Sequence, residues 1–195
     1  DPVVIEIHPG IKTGIKTGEK DVVLERFNIS AGSNEDIAVN QVILTRTKGT
    51  DTNFSNLRLR KVGESSVIGG PVSFSNKKAT FNLTSPISLI KGASVNLEVI
   101  GDLSDAVGTP FAANVAAGGV VGRGLTSGTN VTSTGNTAAE DIGLSDEALS
   151  VSMSASHPQG SAGAIVKSAN RVDLAKFDVR ATGGNVILNT ITMKF

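Results

Sequence analysis

The chain has 195 residues, with 18 basic and 18 acidic side chains and no net formal charge, so no basic stripe marks a nucleic-acid surface. Seven Phe without any Tyr or Trp leave no aromatic platform for stacked bases, and the absence of Cys excludes disulfide staples, zinc–thiolate sites and thiol nucleophiles. No run of about 20 apolar residues provides a membrane-spanning helix. A charged fraction of 18% with 22 Gly and abundant Ser, Thr, Asn and Val fits a secreted β-protein, and the Asp1-Pro2 opening reads as that of a mature or trimmed product.

Val, Ile, Thr and Phe gather in short runs bounded by Gly, Asn, Ser, Asp and Pro, which is strand-and-turn chemistry. In chain order the predicted strands are Val3–Ile7, Val22–Ala31, Ile37–Thr47, Leu57–Lys61, Val72–Phe74, Ala79–Leu83, Ser94–Ile100 and Phe111–Ala116. A second set follows at Ser150–Ser154, Val172–Ala181 and Val186–Phe195. No window shows a useful apolar stripe of period 3.6, so the pattern predicts an all-β chain and a β-sandwich. Gly49-Thr50-Asp51 and Gly69-Gly70-Pro71 are expected to reverse the chain, and Ser75-Asn76-Lys77-Lys78 to close a hairpin. Gly10–Thr13 and Gly14–Thr17 repeat Gly-Ile-Lys-Thr and read as an exposed loop or edge.

The chain also begins to repeat itself. Val22, Leu24, Phe27 and Ile29 recur as Val172, Leu174, Phe177 and Val179 at an offset of 150, and Ile37, Val39, Val42 and Leu44 recur as Val186, Leu188, Ile191 and Met193 at 149. His8-Pro9 recurs as His157-Pro158. In each of the four strands the apolar parity slips by one residue midway, as between Leu24 and Phe27 or Val39 and Val42. One inserted residue exchanges the two faces of a strand, so each slip predicts a β-bulge or a passage from one sheet to another. The domain reading is a sandwich over 1–116, a Gly/Thr/Ser-rich linker or long connection over 117–147, and the first strands of a second sandwich over 148–195, completed by another chain or cropped. Within the connection, Glu140–Leu149 is compatible with a short helical turn.

The segments Leu24–Ala31, Asp36–Val39, Phe54–Leu59, Ala79–Phe81 and Ile90–Leu103, with Lys91-Gly92 before Leu97, Val99 and Asp102, resemble the Ig-like β-sandwich repeats of large secreted surface proteins of candidate-phyla bacteria, the Parcubacteria and relatives. The match spans about residues 20–115 and restarts near 172. The resemblance implies an Ig-like sandwich, a structural surface role and no catalytic residues.

No constellation of side chains reads as an active site, so the chain is expected not to be an enzyme and to need no cofactor. His8 and His157 hold matching places before Pro and read as parts of a repeated turn. Asp102, Asp105, Glu35 and Asp36 are weak calcium candidates in loops, without EF-hand spacing. Gly118–Gly124 lacks the Gly-Lys-Ser/Thr end of a phosphate loop and reads as a flexible connection. Glu25, Glu98 and Asp173 alternate into the solvent-facing set of their strands. Asn28, Asn53, Asn82 and Asn130 head Asn-x-Ser/Thr sequons and are glycan-acceptor candidates, Asn130 the best placed.

An incomplete sandwich leaves open strand edges. The expected function is therefore that of a structural, non-catalytic subunit of an extracellular filament or surface array, assembled head-to-tail with other copies, with donor-strand complementation as the joint. The strands expected to serve it are Val3, Val4, Ile5 and Ile7 as donor, and Val172, Leu174, Phe177, Val179, Val186, Leu188, Ile191 and Met193 in the unfinished repeat. The alternative is an adhesin or carbohydrate-binding module of a larger surface protein with surface glycans as partners, which the lack of Trp and Tyr weakens.

Overall fold

The computed structural model describes residues 2–6, 14–106, 110–145, 148–155, 176–182, 188–190 and 192. Among these residues the regular structure is entirely β. The strands are β1 (Val3–Glu6), β2 (Ile15–Lys16), β3 (Val22–Ser30), β4 (Ile37–Lys48), β5 (Phe54–Lys61), β6 (Val67–Val72) and β7 (Lys78–Leu89). They continue as β8 (Ser94–Leu103), β9 (Ala112–Asn114), β10 (Val120–Gly124), β11 (Asn130–Thr132), β12 (Leu144–Ser145), β13 (Ala148–Met153) and β14 (Phe177–Thr182). No helix of the described residues is long and apolar enough to cross a membrane.

Two compact units divide the chain, Asp1–Ser145 and Asp146–Phe195. In the first, one antiparallel sheet has the order β1-β3-β8-β5-β6. The other has the order β11-β10-β4-β7, with β9 also pairing the end of β4. Between them Phe27, Leu57, Leu59, Leu97 and Val99 of one sheet share a core with Val39, Val42, Leu44, Phe81 and Val120 of the other. The ring of Phe111 meets Phe54 edge-on at 4.7 Å between centroids and Phe74 at 5.8 Å, the offset geometry that aromatic quadrupoles favour.

The parity slips are β-bulges. The β3–β8 ladder skips Leu24, between Val23 and Glu25. β4 skips Asn40 against both of its neighbours, β7 and β10. The extra residue turns the strand by one side-chain step, so Val22 and Leu24 before it, and Phe27 and Ile29 after it, all enter one core. The same holds for Ile37 and Val39 against Val42 and Leu44. Val172, Asp173 and Leu174 lie outside the described residues, and Asn189, the counterpart of Asn40, is in no strand. Residues 188–190 and 192, expected within a strand, are not in one.

Asn76 and Lys77 close the expected two-residue hairpin with φ of 50° and 67°, and Ser75 and Lys78 exchange N–H···O bonds of 2.9 and 3.0 Å. Gly69-Gly70-Pro71 does not reverse the chain. It runs inside β6, where Leu57 pairs Val72 and Leu59 pairs Gly69, so that the Gly-Pro step bulges out of an edge strand. Gly70 has φ of 99° and its α-carbon lies against the carbonyl of Leu57, a conformation and a gap that only glycine fits.

Residues 117–145 correct the linker reading. Val120–Gly124 is β10 and pairs β4 directly, β11 extends that sheet, and Leu144 of β12 pairs Ile15 of β2 in parallel. Val120, Ile142 and Leu144 are buried in the first core. The Gly-rich composition serves close packing rather than freedom: a Cβ on Gly122 would meet the carbonyl oxygen of Ala38 at 2.8 Å, and one on Gly119 would meet that of Ala116 at 2.7 Å. The short helical turn over Glu140–Leu149 does not form, because Leu144–Ser145 and Ala148–Met153 are strands. Ile15, in a stretch expected to be an exposed loop or edge, pairs Leu144 in that two-stranded ladder and is buried.

Candidate functional site

β8 alternates Leu97, Val99 and Leu103 into the core with Asn96, Glu98 and Asp102 on the opposite face. That outer face carries charge in a fixed pattern. Glu98, 2% exposed, accepts from Arg26 Nε of β3 at 2.7 Å and from Arg60 Nε of β5 at 2.6 Å. Asp102 accepts from Arg58 Nη2 at 2.6 Å, Asn56 Nδ2 at 3.1 Å, Lys20 Nζ at 3.3 Å and the Asp21 N–H at 3.3 Å. Burial pushes the Glu98 carboxyl up, but the Arg26 and Arg60 hydrogen bonds and charges outweigh it and hold the group below its ordinary value. For Asp102 burial also acts upward and is outweighed by Asn56, the Asp21 N–H, Lys20 and Arg58, which bring the carboxyl to about 2.

Strand alternation alone placed Glu25 and Glu98 in solvent. Both are 2% exposed, Glu98 because arginines of the two flanking strands converge on it, and Glu25 because the bulge at Leu24 sets it opposite the core residue Val99. The arginines went unnoticed in the sequence. The signal was there in the period-two pair Arg58 and Arg60, which faces the period-four pair Glu98 and Asp102 once β5 and β8 are neighbours.

The calcium candidates do not converge. Asp102 is buried in the ion-pair row, and Asp36 Oδ1 accepts the N–H of Lys91 at 2.8 Å. Asn53 binds the carbonyl of Asp105 at 2.7 Å. Glu35 accepts from the N–H groups of Thr126 and Ser127 at 3.0 and 2.9 Å and from Ser127 Oγ at 2.8 Å, contacts led by Ser127 that lower its pKa. Among the described residues no three His, Cys, Asp or Glu side chains group as metal ligands, and His8 and His157 lie outside those residues. A cleft of about 230 Å³ beside Glu35 is lined by Gly32, Asn34, Ile37, Thr129 and Val131.

The sequons divide by burial. Asn130 opens β11 and is exposed, Asn82 is exposed and accepts from Gln41 at 2.7 Å, and Asn28 is half-buried and donates to Asn96 at 2.7 Å. Asn53 is fully buried, its Oδ1 accepting the Thr50 N–H at 2.6 Å, so the folded protein offers no acceptor there.

The strands expected to join copies fall into one geometric scheme. Val3, Val4 and Ile5 belong to β1, which forms the edge of the first sheet by pairing β3 within the chain; Ile7 lies outside the described residues. The register is Glu6 opposite Phe27, Ile5 opposite Asn28, Val4 opposite Ile29 and Val3 opposite Ser30. In the second unit β13 pairs β14 antiparallel, with Met153 opposite Phe177, Ser152 opposite Asp178, Val151 opposite Val179 and Ser150 opposite Arg180. The four β3 residues that β1 pairs, Phe27–Ser30, thus map onto Phe177–Arg180 of β14 at an offset of 150, and the four β1 residues onto Ser150–Met153 of β13 at an offset of 147. The second unit opens with the same strand pair as the first, with three residues more in the connection.

The environments of the two pairs differ. Phe27 and Ile29 are fully buried, whereas Phe177 is half-buried, and Val179 and Val151 are 39% and 64% exposed. Phe177, the repeat counterpart of Phe27, is thus only half-buried among the described residues. Leu188 is exposed as well, and Val186, Ile191 and Met193 lie outside the described residues.

No family model matches the chain, and no curated protein sequence matches it either. Among solved structures it is similar to AvmM, described as catalysing macrocyclization in alchivemycin A biosynthesis, over 73% of this chain and 88% of that one, at 12% identity and a TM-score of 0.39. So loose a likeness carries no argument about fold or activity.

Proposed function

We propose that this protein is a structural, non-catalytic subunit of an extracellular filament or surface array, in which β-sandwiches follow one another head-to-tail and complete one another by strand addition. The observation that carries this reading is the matched register of β1–β3 and β13–β14, together with the exposure of Val151 and Val179 where the first unit buries Ile29. Exposed apolar side chains and unpaired main-chain groups at a strand edge are the features that strand addition satisfies. A head-to-tail contact whose rotation does not close a ring propagates into a fibre. The charged row on β8 suits a mechanically robust module, since Glu98 ties β3, β8 and β5 together through Arg26 and Arg60.

The resemblance to Ig-like surface repeats agrees with this role and with an extracellular location. Electron microscopy of the native material tests it. Long fibres with a regular axial repeat support the subunit reading; discrete monomers at high concentration overturn it and favour the adhesin or carbohydrate-binding alternative.

A further inference from the structure

The four sequons are alike in sequence and unlike in structure. Asn53 is shut in the core, the Asn28 amide is spent on Asn96, and Asn82 accepts the Gln41 amide. Asn28 also lies in β3, which is paired on one edge by β1 and on the other by β8. Asn130 differs on each count. It opens β11, a strand of three residues, and lies opposite Arg123 of β10, with Val131 opposite Gly122 and Thr132 opposite Val121. Alternation turns Val131 inward, where it packs on the core, and leaves Asn130 and Thr132 exposed on the other face. The amide and the hydroxyl that define the sequon thus share one accessible face. Among the described residues no hydrogen bond engages either side chain. Arg123, their neighbour across the ladder, is drawn aside, its Nε donating to the Gly128 carbonyl at 2.8 Å.

We propose that Asn130 is a glycosylation site, the one sequon of the four that the folded chain presents to a transferase, with a lipid-diphosphate-linked oligosaccharide as the co-substrate. The proposal rests on the extracellular location in the reading above, where such acceptors are used. In the transfer the Asn130 amide nitrogen bonds to the anomeric carbon of the sugar. The bond from that carbon to the diphosphate oxygen breaks, the lipid diphosphate leaves with its electron pair, and the amide nitrogen gives one proton to a base. The Thr132 hydroxyl is the recognition group, and Val131 fixes the face on which both stand. A transferase must also bend its acceptor out of the surface. Three residue pairs to β10 hold β11, whereas eight to β8 and four to β1 hold β3, so the local release that this demands is least at Asn130.

The test is tandem mass spectrometry of the protein isolated from its natural host. Trypsin puts each sequon in its own peptide: 27–46 for Asn28, 49–58 for Asn53, 79–91 for Asn82 and 124–167 for Asn130. Peptide 124–167 should be heavier by whole sugar residues, localised to Asn130, and peptide 49–58 should be bare. In the same host Thr132→Ala should lose the sugar, and Thr132→Ser, which keeps the hydroxyl, should retain it. Peptide 124–167 found only unmodified overturns the proposal. So does a sugar on Asn28, Asn53 or Asn82 in place of Asn130, or one on 124–167 that survives Thr132→Ala. The fate of the subunit reading is separate. Fibres built of unmodified chains would defeat the glycan site alone. A sugar on Asn130 in native material that stays monomeric would establish the site and defeat the filament.

Discussion

Asp102 shows how one side chain binds local sequence to global stability. Its carboxylate draws Lys20, Asp21, Asn56 and Arg58 from two other stretches of chain onto one point of β8. Its pKa of about 2 in the folded protein lies below the ordinary 3.8, so the stabilisation is complete above about pH 5 and drains away as pH falls through 3.8 towards 2. Asp102→Asn should therefore destabilise the protein by about 2 kcal/mol at neutral pH and flatten the acid limb of its stability curve in that window. Urea midpoints measured from pH 7 to pH 2 check both; parallel curves for parent and variant would contradict it. Core residues act through volume instead. Phe27→Ala, Phe81→Ala and Leu97→Ala each remove a fully buried side chain and should cost about 3–5 kcal/mol. Phe177→Ala, at a half-buried place, should cost clearly less than Phe27→Ala in the same assay.

At the scale of elements, the bulges decide how the chain packs. Asn40 is left out of the ladder on both sides of β4, and it is what brings Ile37 and Val39 to the same core as Val42 and Leu44. Deleting Asn40 would restore an unbroken alternation and force one pair out of the core, exposing two apolar side chains. The deletion variant should fail to give a cooperative thermal transition, whereas Asn40→Ser, which keeps the count, should retain one. Circular dichroism melting distinguishes these outcomes directly. β10 illustrates the converse, an element that composition disguised. Its glycines look like linker chemistry, yet each sits where a side chain would strike the backbone of β4 or the Glu35 carboxylate. Glycine signals both freedom and closeness, and the sequence alone does not say which.

For the whole molecule, the two units should differ in stability. The first has two sheets around a shared core; the described part of the second is a two-stranded pair, which alone is marginal in water. Amides of Phe27–Ser30 in β3 should exchange at least about a hundredfold more slowly than their counterparts Phe177–Arg180 in β14 when the protein is alone, as hydrogen-exchange mass spectrometry can measure. Equal protection would mean that β14 already has the neighbour it lacks among the described residues.

The sequence by itself determined the all-β class, the Asn76-Lys77 hairpin and the places where strand parity slips, because these follow from side-chain alternation and turn chemistry within a few residues. The apolar spacing of Val22–Ile29 also recurs intact in the sequence at Val172–Val179. Tertiary structure decided the rest. Only the neighbouring of β3, β8 and β5 buries Glu98 between two arginines, only the approach of β10 to β4 turns a glycine-rich stretch into a core strand, and only the packing around Asn53 closes a sequon. Each depends on residues tens of positions apart meeting in space, and no local pattern encodes which partner a strand edge will find.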